Sequence, residues 1–498
     1  MSELGTGRVA IANVVDVARR RAPVAIAPAV IERLQRARAI VERAAEGEQS
    51  IYGLTSALGA NTGKLLAIDD RVLYQMRAVR ARAVGVGPAM PEDRVRAAMF
   101  ARAAGMAQGG SGVSIGVFQS LVDALNRSVF PCIPAWGSIS VADMPPLAHL
   151  ALVLMGEGEA FIGGRRVPGA VALAHAGLAP AALGAKDGLS LFSANAVTIG
   201  FASLVLHDLA DTFGRLDDIV ALSFEGFRAN VSPLDPRAQA ARPAPGQATA
   251  AARIGASLVG SGLLADGAAR RVQDPLSFRC VSQVHGAALD ALAHAVEHVE
   301  IELNAGADSP LVDAATGAIF STGNFHIPGL AISHEALGLA VAQVGALIVE
   351  RCIHLLAPVT SDLPLQLTRH SPQQSGFATV QKTLTALQND IRHLANPACL
   401  DFLPVSAGIE DHSPMALKCV TKLSEMRERL VYLAAVEAMV GAQAVDLRAP
   451  EVRATLGQGA RRMYEGVRER VPFLDDDRPL GSDIERVAAW LLVKDAGK

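Results

Sequence analysis

The sequence predicts an all-α protein, on three observations. Hydrophobic residues fill 50% of the 498 positions but aromatics only 4%. That composition, rich in alanine, suits close helix packing better than an aromatic-rich β architecture. From about residue 197 onward, apolar residues recur at three- and four-residue steps over long stretches. Proline and glycine cluster between those stretches rather than inside them.

The first 195 residues read as short helical patterns broken by glycine-rich turns at 53–63, 85–88, 105–112 and 156–164. Beyond them the spacing predicts long helices over 197–226, 329–356, 375–396 and 412–445. Val284, Ala288, Leu292, Val296, Val299 and Leu303 form one further continuous stripe. Proline and glycine mark breaks at 233–246, 305–310, 358–364 and 404–408, and 233–255 reads as a long surface loop. The expected division is therefore a loop-rich part, 1–195, followed by a bundle of long, near-parallel helices, 196–498. Helical bundles build sites from side chains on facing helices and loop ends.

The net charge of -3 and pI near 6.5 give no electrostatic footprint for nucleic acid or an anionic membrane. No uninterrupted apolar run reaches the length needed to span a bilayer. The opening MSELGTGRVAIANVV lacks the charged and apolar regions of a signal peptide. Cys132, Cys280, Cys352, Cys399 and Cys419 are scattered and odd in number. They fit a reduced cytoplasm better than a disulfide or zinc framework.

Three motifs are decoys. His294-Ala-Val-Glu-His298 puts two imidazoles on one helix face, but Val296 and Val299 carry the buried stripe and no third metal ligand is evident. Gly112-Val-Ser114-Ile-Gly116 follows a turn rather than a strand, so it reads as a helix start and not a nucleophile elbow. Gly59 to Lys64 resembles a phosphate loop, but its glycines are one residue too close and Leu65 replaces the Ser or Thr.

The chemistry lies in six separated motifs: Tyr52-Gly-Leu with Gly59-Ala-Asn-Thr-Gly63; the segment from Gly137 to Glu159; Gln273-Asp-Pro-Leu-Ser-Phe-Arg279-Cys; Gly323-Asn-Phe-His326; Ser375-Gly-Phe377; and Glu410-Asp-His412. In this order they resemble the histidine and phenylalanine ammonia-lyase family over about residues 50 to 450. The resemblance implies the helical ammonia-lyase fold and a homotetramer whose subunits share active sites around a small-molecule substrate.

It also assigns roles. Tyr52 matches the base that removes the substrate's β-proton, which a tyrosinate can do where positive charge and N–H groups favour it. Arg279 matches the arginine that grips the carboxylate in a bidentate fork. Asn324 would orient the same carboxylate, and Phe325 would line the pocket. Glu410 stands where histidine ammonia-lyases place a carboxylate near the imidazole, whose N–H it can accept. Taken singly, these residues have plainer readings: a turn tyrosine, an internal salt bridge, a turn with its packing, and an acid ahead of a helix.

The departures are as informative. The family's Ala-Ser-Gly triad cyclises into a methylidene-imidazolone that captures the substrate amine. The matching residues here are Ser140, Val141 and Ala142, before Asp143, and one residue is missing just upstream. Cyclisation needs a serine hydroxyl to lose and a permissive glycine nitrogen to attack; Val141 and Ala142 offer neither, so no prosthetic group is expected. Arg82 replaces the family's imidazole-touching histidine, Ser193 an amide, and Leu276 a tyrosine. Lys382 follows Ser375-Gly-Phe377 where an apolar residue is more usual, although a solvated helix lysine is the plain alternative.

A quaternary trimethylammonium group has no lone pair with which to attack that electrophile, and it leaves readily as trimethylamine. The family's branch without the ring, the ergothionases, eliminates trimethylamine from ergothioneine to give thiourocanate. The lost triad, the retained Glu410 and the cations Arg82 and Lys382 resemble that branch. Elimination from another betaine and a catalytically silent paralogue are the rival readings.

Overall fold

The computed structural model describes residues 2–492, so the extreme ends of the expected division lie outside the described residues. The chain is predominantly helical, with 60% helix and 7% strand. It forms two compact units, each assembled from three separate stretches of sequence.

One unit comprises the chain to residue 207 with 295–334 and 397–421. Its helices include Pro28–Glu46, Arg71–Arg82, Glu92–Ala107, Ile115–Asn126 and Met144–Leu154. Glu92–Ala107 is wrapped on nearly all sides, and its alanines explain how. Near Ala97 another helix passes so close that a Cβ on Gly200 would lie 2.6 Å from the Ala97 backbone, which only glycine allows. Ser114 caps Ile115–Asn126 by accepting a hydrogen bond from the Val117 amide, as the helix-start reading of that motif requires. Short strands tie the loops together. Val86–Ala89 pairs antiparallel with Pro134–Trp136. This ribbon brings the chain leaving Arg71–Arg82 alongside the chain entering the 140–142 tripeptide.

Charged groups buried in this unit are matched. Arg102 and Asp308 form an ion pair at 2.6 Å. Lys186 is fully buried and donates to the Ser111 carbonyl at 2.6 Å. Burial pulls its ammonium down to about 8, against the attraction of Asp308.

The other unit comprises 208–294, 335–396 and the chain from 422 onward. Long helices dominate it, and the expected ones are present within a few residues: Val380–Leu394 lies wholly in this unit, while Ala196–Phe227, Val281–Leu303, Pro328–Leu356 and Ala416–Asp446 each have one end in the first unit's stretches. Small residues let two of these helices approach: a Cβ on Gly226 would meet Ala444 at 2.8 Å. At the centre the Arg351 guanidinium grips both oxygens of Glu437 at 2.6 and 2.9 Å. Ser223 donates to the same carboxylate at 2.8 Å, and Arg351 also donates to the Ser277 carbonyl. Neither side chain of the pair touches solvent.

Two expectations are corrected. The stretch 233–255 is not a loop: it holds the helices Pro236–Ala240 and Pro245–Ser257. Proline at the first helical position cannot break the helix it begins, and Ala250, Ala251 and Ile254 bury its inner face. The apolar runs are also longer than expected. Segments in Asp187–Phe227, Pro328–Leu356 and Ala416–Leu447 are long and apolar enough to cross a membrane by length and composition, and 100%, 50% and 83% of their apolar windows are buried within the fold. In the first of them, residues 188–207 include no Asp, Glu, Lys or Arg, and only small polar residues and one histidine punctuate the run.

Arg351→Met strands Glu437 as an unpaired buried charge and should cost about 3–5 kcal/mol of unfolding free energy in a denaturant titration. Adding Glu437→Leu should recover much of that loss.

Candidate active site

A cavity of about 1050 Å³ opens in the first unit. Its wall comes from six places: the loop of Tyr52 to Thr62, the C-terminal end of Arg71–Arg82, the tripeptide with its flanks, the turn around Ser193, and the segments 309–326 and 405–412.

The tripeptide is held from behind. Ser140 and Ala142 both adopt left-handed backbone, at φ 61° and 55°. Val141 between them is only 7% exposed, lines the cavity, and pairs its backbone with His326. The Ser140 hydroxyl accepts the Leu417 amide at 2.9 Å. Asp143, fully buried, takes hydrogen bonds from the Ser138 hydroxyl at 2.7 Å, the Thr198 amide at 2.7 Å and the Thr198 hydroxyl at 2.9 Å. Burial raises its carboxyl above the usual range, with those bonds pulling the other way.

Tyr52 sits at the cavity edge, its phenol oxygen accepting the Gly59 amide at 3.1 Å. Tyr74 anchors the same loop by accepting the Leu58 amide at 2.8 Å. Arg82 lies over the Phe192 ring, 4.9 Å from its centroid, a cation–π contact, and donates to the Ala78 carbonyl. Burial pulls its guanidinium below the usual range, while Tyr74, Tyr52 and Glu410 oppose the shift. Those three acidic groups are therefore near enough to share its charge.

Glu410 faces the cavity, with Oε1 taking the Ser406 hydroxyl at 2.9 Å. Phe325 lines the cavity, and its carbonyl accepts the Asn195 side-chain amide. Asn324 is exposed between the lining residues Gly323 and Phe325. Ser193 is nearly buried and contributes to the wall.

The cavity thus collects Tyr52, Arg82, Val141, Ala142, Ser193, Phe325 and Glu410, with Asn324 at its rim and Ser140 behind it. It does not include Leu276, Arg279 or Lys382, which belong to the second unit. Leu276 is 60% exposed, Arg279 is half-buried and Lys382 is exposed. Among the described residues, no group of three or more His, Cys, Asp or Glu could hold a metal ion.

Sequence reasoning gave no role to His326 and His412, although both stand in quoted motifs. Their rings meet at 2.8 Å, Nε2 to Nδ1, on the cavity wall. They are 86 residues apart, and no local spacing links them. Tyr74 and Phe192 were missed for the same reason: each acts through a neighbour distant in sequence.

Comparison with known proteins identifies this scaffold as that of a lyase superfamily. Residues 9–469 match the aromatic amino acid lyase family. The chain is 38% identical to the histidine ammonia-lyase of Gloeobacter violaceus over 483 residues, covering 96% of this chain and 93% of that one. Its structure superposes with a TM-score of 0.94 on ergothionase from Treponema denticola, an ergothioneine-degrading enzyme solved in complex with desmethyl-ergothioneine sulfonic acid. That match is 33% identical and covers 98% of both chains. Phenylalanine aminomutase from Pantoea agglomerans superposes with the same score at 27% identity, over 99% of this chain and 98% of that one. This chain belongs to the aromatic amino acid lyase family.

Left-handed backbone costs an alanine about 1–2 kcal/mol. Ala142→Gly should therefore raise the unfolding free energy by about 1 kcal/mol in thermal or denaturant melts.

Proposed function

We propose that this lyase releases trimethylamine from a histidine-derived betaine, converting ergothioneine to thiourocanate without a methylidene-imidazolone ring. The observation that carries this reading is the tripeptide. Its residues do not fit the ring: Val141 has no hydroxyl to expel, the tripeptide's one hydroxyl, on Ser140, is engaged by the Leu417 amide, and the nitrogen that would attack belongs to an alanine. An enzyme that must alkylate a primary amine before expelling it would be crippled by these substitutions. One that expels a quaternary amine loses nothing by them.

In this reading Tyr52 takes the substrate's β-proton. Its phenol oxygen accepts the Gly59 amide at 3.1 Å, and Arg82 stands on the same cavity wall. The C–H electron pair becomes the Cα–Cβ double bond, and the Cα–N pair leaves with trimethylamine. Glu410 accepts the ring N–H of the thioimidazole, and Arg82 and Lys382 balance negative charge pushed toward its sulfur. Arg279 and Asn324 fix the carboxylate. Val141, Leu276 and Phe325 form an apolar seat for the methyl groups, and Ser193 completes the wall. The rate enhancement then comes from orientation and electrostatic preorganisation.

Leu276, Arg279 and Lys382 would enter from neighbouring copies in a cytoplasmic homotetramer with shared sites, which takes neither nucleic acid nor membrane as partner. The resemblance to ergothionase supports the substrate. The histidine ammonia-lyase relatives support the imidazole but would require the electrophile that Val141 denies.

Incubation with ergothioneine should yield thiourocanate absorbance and free trimethylamine, with histidine unchanged. Production of urocanate from histidine would sink the proposal. Tyr52→Phe should lower kcat by about 10²–10⁴-fold; undiminished turnover would remove Tyr52 from the base role. Intact mass spectrometry should give the mass of the uncyclised chain, with no loss of water.

A further inference from the structure

We propose that His326 and His412 are positioning residues: a proton-sharing latch that fixes the spacing between the Glu410 and Asn324–Phe325 sides of the cavity. The inference rests on Glu410 being the acceptor for the substrate ring.

The two imidazoles join two otherwise distinct segments. His412 lies two residues beyond Glu410, and His326 directly follows Phe325. Their nitrogens are 2.8 Å apart, and the rings meet edge-on, with centroids 4.9 Å apart and planes at 63°. Each side is braced. The His326 backbone pairs with Val141 and its amide donates to the Gly323 carbonyl. The His412 ring packs against Phe402 at 4.9 Å. The Glu410 backbone closes on Val405 in both directions, at 3.0 and 3.3 Å. A shift of His412 would therefore carry Glu410 with it, and a shift of His326 would carry Phe325.

A nitrogen–nitrogen contact of this length needs one hydrogen between the rings. A neutral pair supplies it, and so does a singly protonated pair. Two imidazolium rings cannot share it, because both nitrogens then donate and like charges face each other. Burial and the neighbouring imidazole hold His326 below the usual histidine range. The other titratable groups on the cavity wall are Glu410 and Asp411 from the same segment as His412, and Tyr52 and Arg82 from across the cavity. The sign follows: the latch stays closed while at most one of the two rings is charged, and opens only as the pH falls far enough to protonate the second, below the usual histidine range.

The test compares wild type with His412→Phe and with the double variant His326→Gln/His412→Gln, which can keep a side-chain hydrogen bond but cannot titrate. With ergothioneine, His412→Phe should raise KM about tenfold, the worth of one lost hydrogen bond, and change kcat less. The double glutamine variant should recover most of that KM and lose the acid limb of the kcat/KM profile. Wild-type KM in His412→Phe, or an unchanged acid limb in the double variant, would overturn the latch. Hydrogen–deuterium exchange of amides 402–412 needs no substrate and separates this inference from the substrate reading. Faster exchange in His412→Phe, in a protein inert toward ergothioneine, keeps the latch and discards the substrate. Unchanged exchange in an active protein discards the latch.

Discussion

One buried carboxylate governs the geometry of this site. Asp143 has no contact with water, yet it accepts hydrogen bonds from a serine on its own loop and from the first turn of Ala196–Phe227. Its own amide donates to the Ala194 carbonyl at 2.7 Å. Placing an acid against the N-terminal turn of a helix uses the unpaired amides and the dipole there. The tripeptide is thereby stapled to the start of a long helix and becomes a rigid cavity wall. Tyr52, Arg82 and Glu410 are arranged around that wall, and a looser segment would not hold the Val141–His326 pairing in register.

The rest of the site is a balance of charge in a largely apolar hollow. Arg82 is half-withdrawn from solvent and held over Phe192, so its charge is felt by the phenols and by Glu410 rather than spent on water. The phenol of Tyr52 receives an amide hydrogen and faces a guanidinium. These are contributions to positioning and field. The ion pairs Arg102–Asp308 and Arg351–Glu437 act elsewhere, each within its own unit. They join segments far apart in sequence at points where an apolar contact would allow several registers.

Much of the fold was legible because periodicity is a local property. The stripe from Val284 to Leu303 reads directly onto Val281–Leu303, where Ala288, Leu292, Val299 and Leu303 are buried. The misread stretch at 233–255 failed because proline was taken as punctuation when, at Pro236 and Pro245, it opens helices. The site was legible only through its motifs. Tyr52, Arg82, Ser193, Phe325 and Glu410 meet on one cavity, but nothing local in the chain predicts that meeting. The His326–His412 contact and the seat of Arg82 over Phe192 were invisible because they depend on tertiary closure. The separation of Arg279, Leu276 and Lys382 into the second unit was equally beyond reach, since a linear motif carries no information about which compact unit holds it.

The left-handed residues on either side of Val141 have a consequence for how such a site can change over generations. Positive φ excludes β-branched and bulky side chains at 140 and 142, and burial excludes charge. Variation that keeps the fold is thus confined to small residues at those two positions, while 141, in extended pairing with His326, tolerates chemically different side chains. A lineage can alter the chemistry of this wall through position 141 together with the choice between small residues at 142, with the surrounding turn serving as a fixed mould.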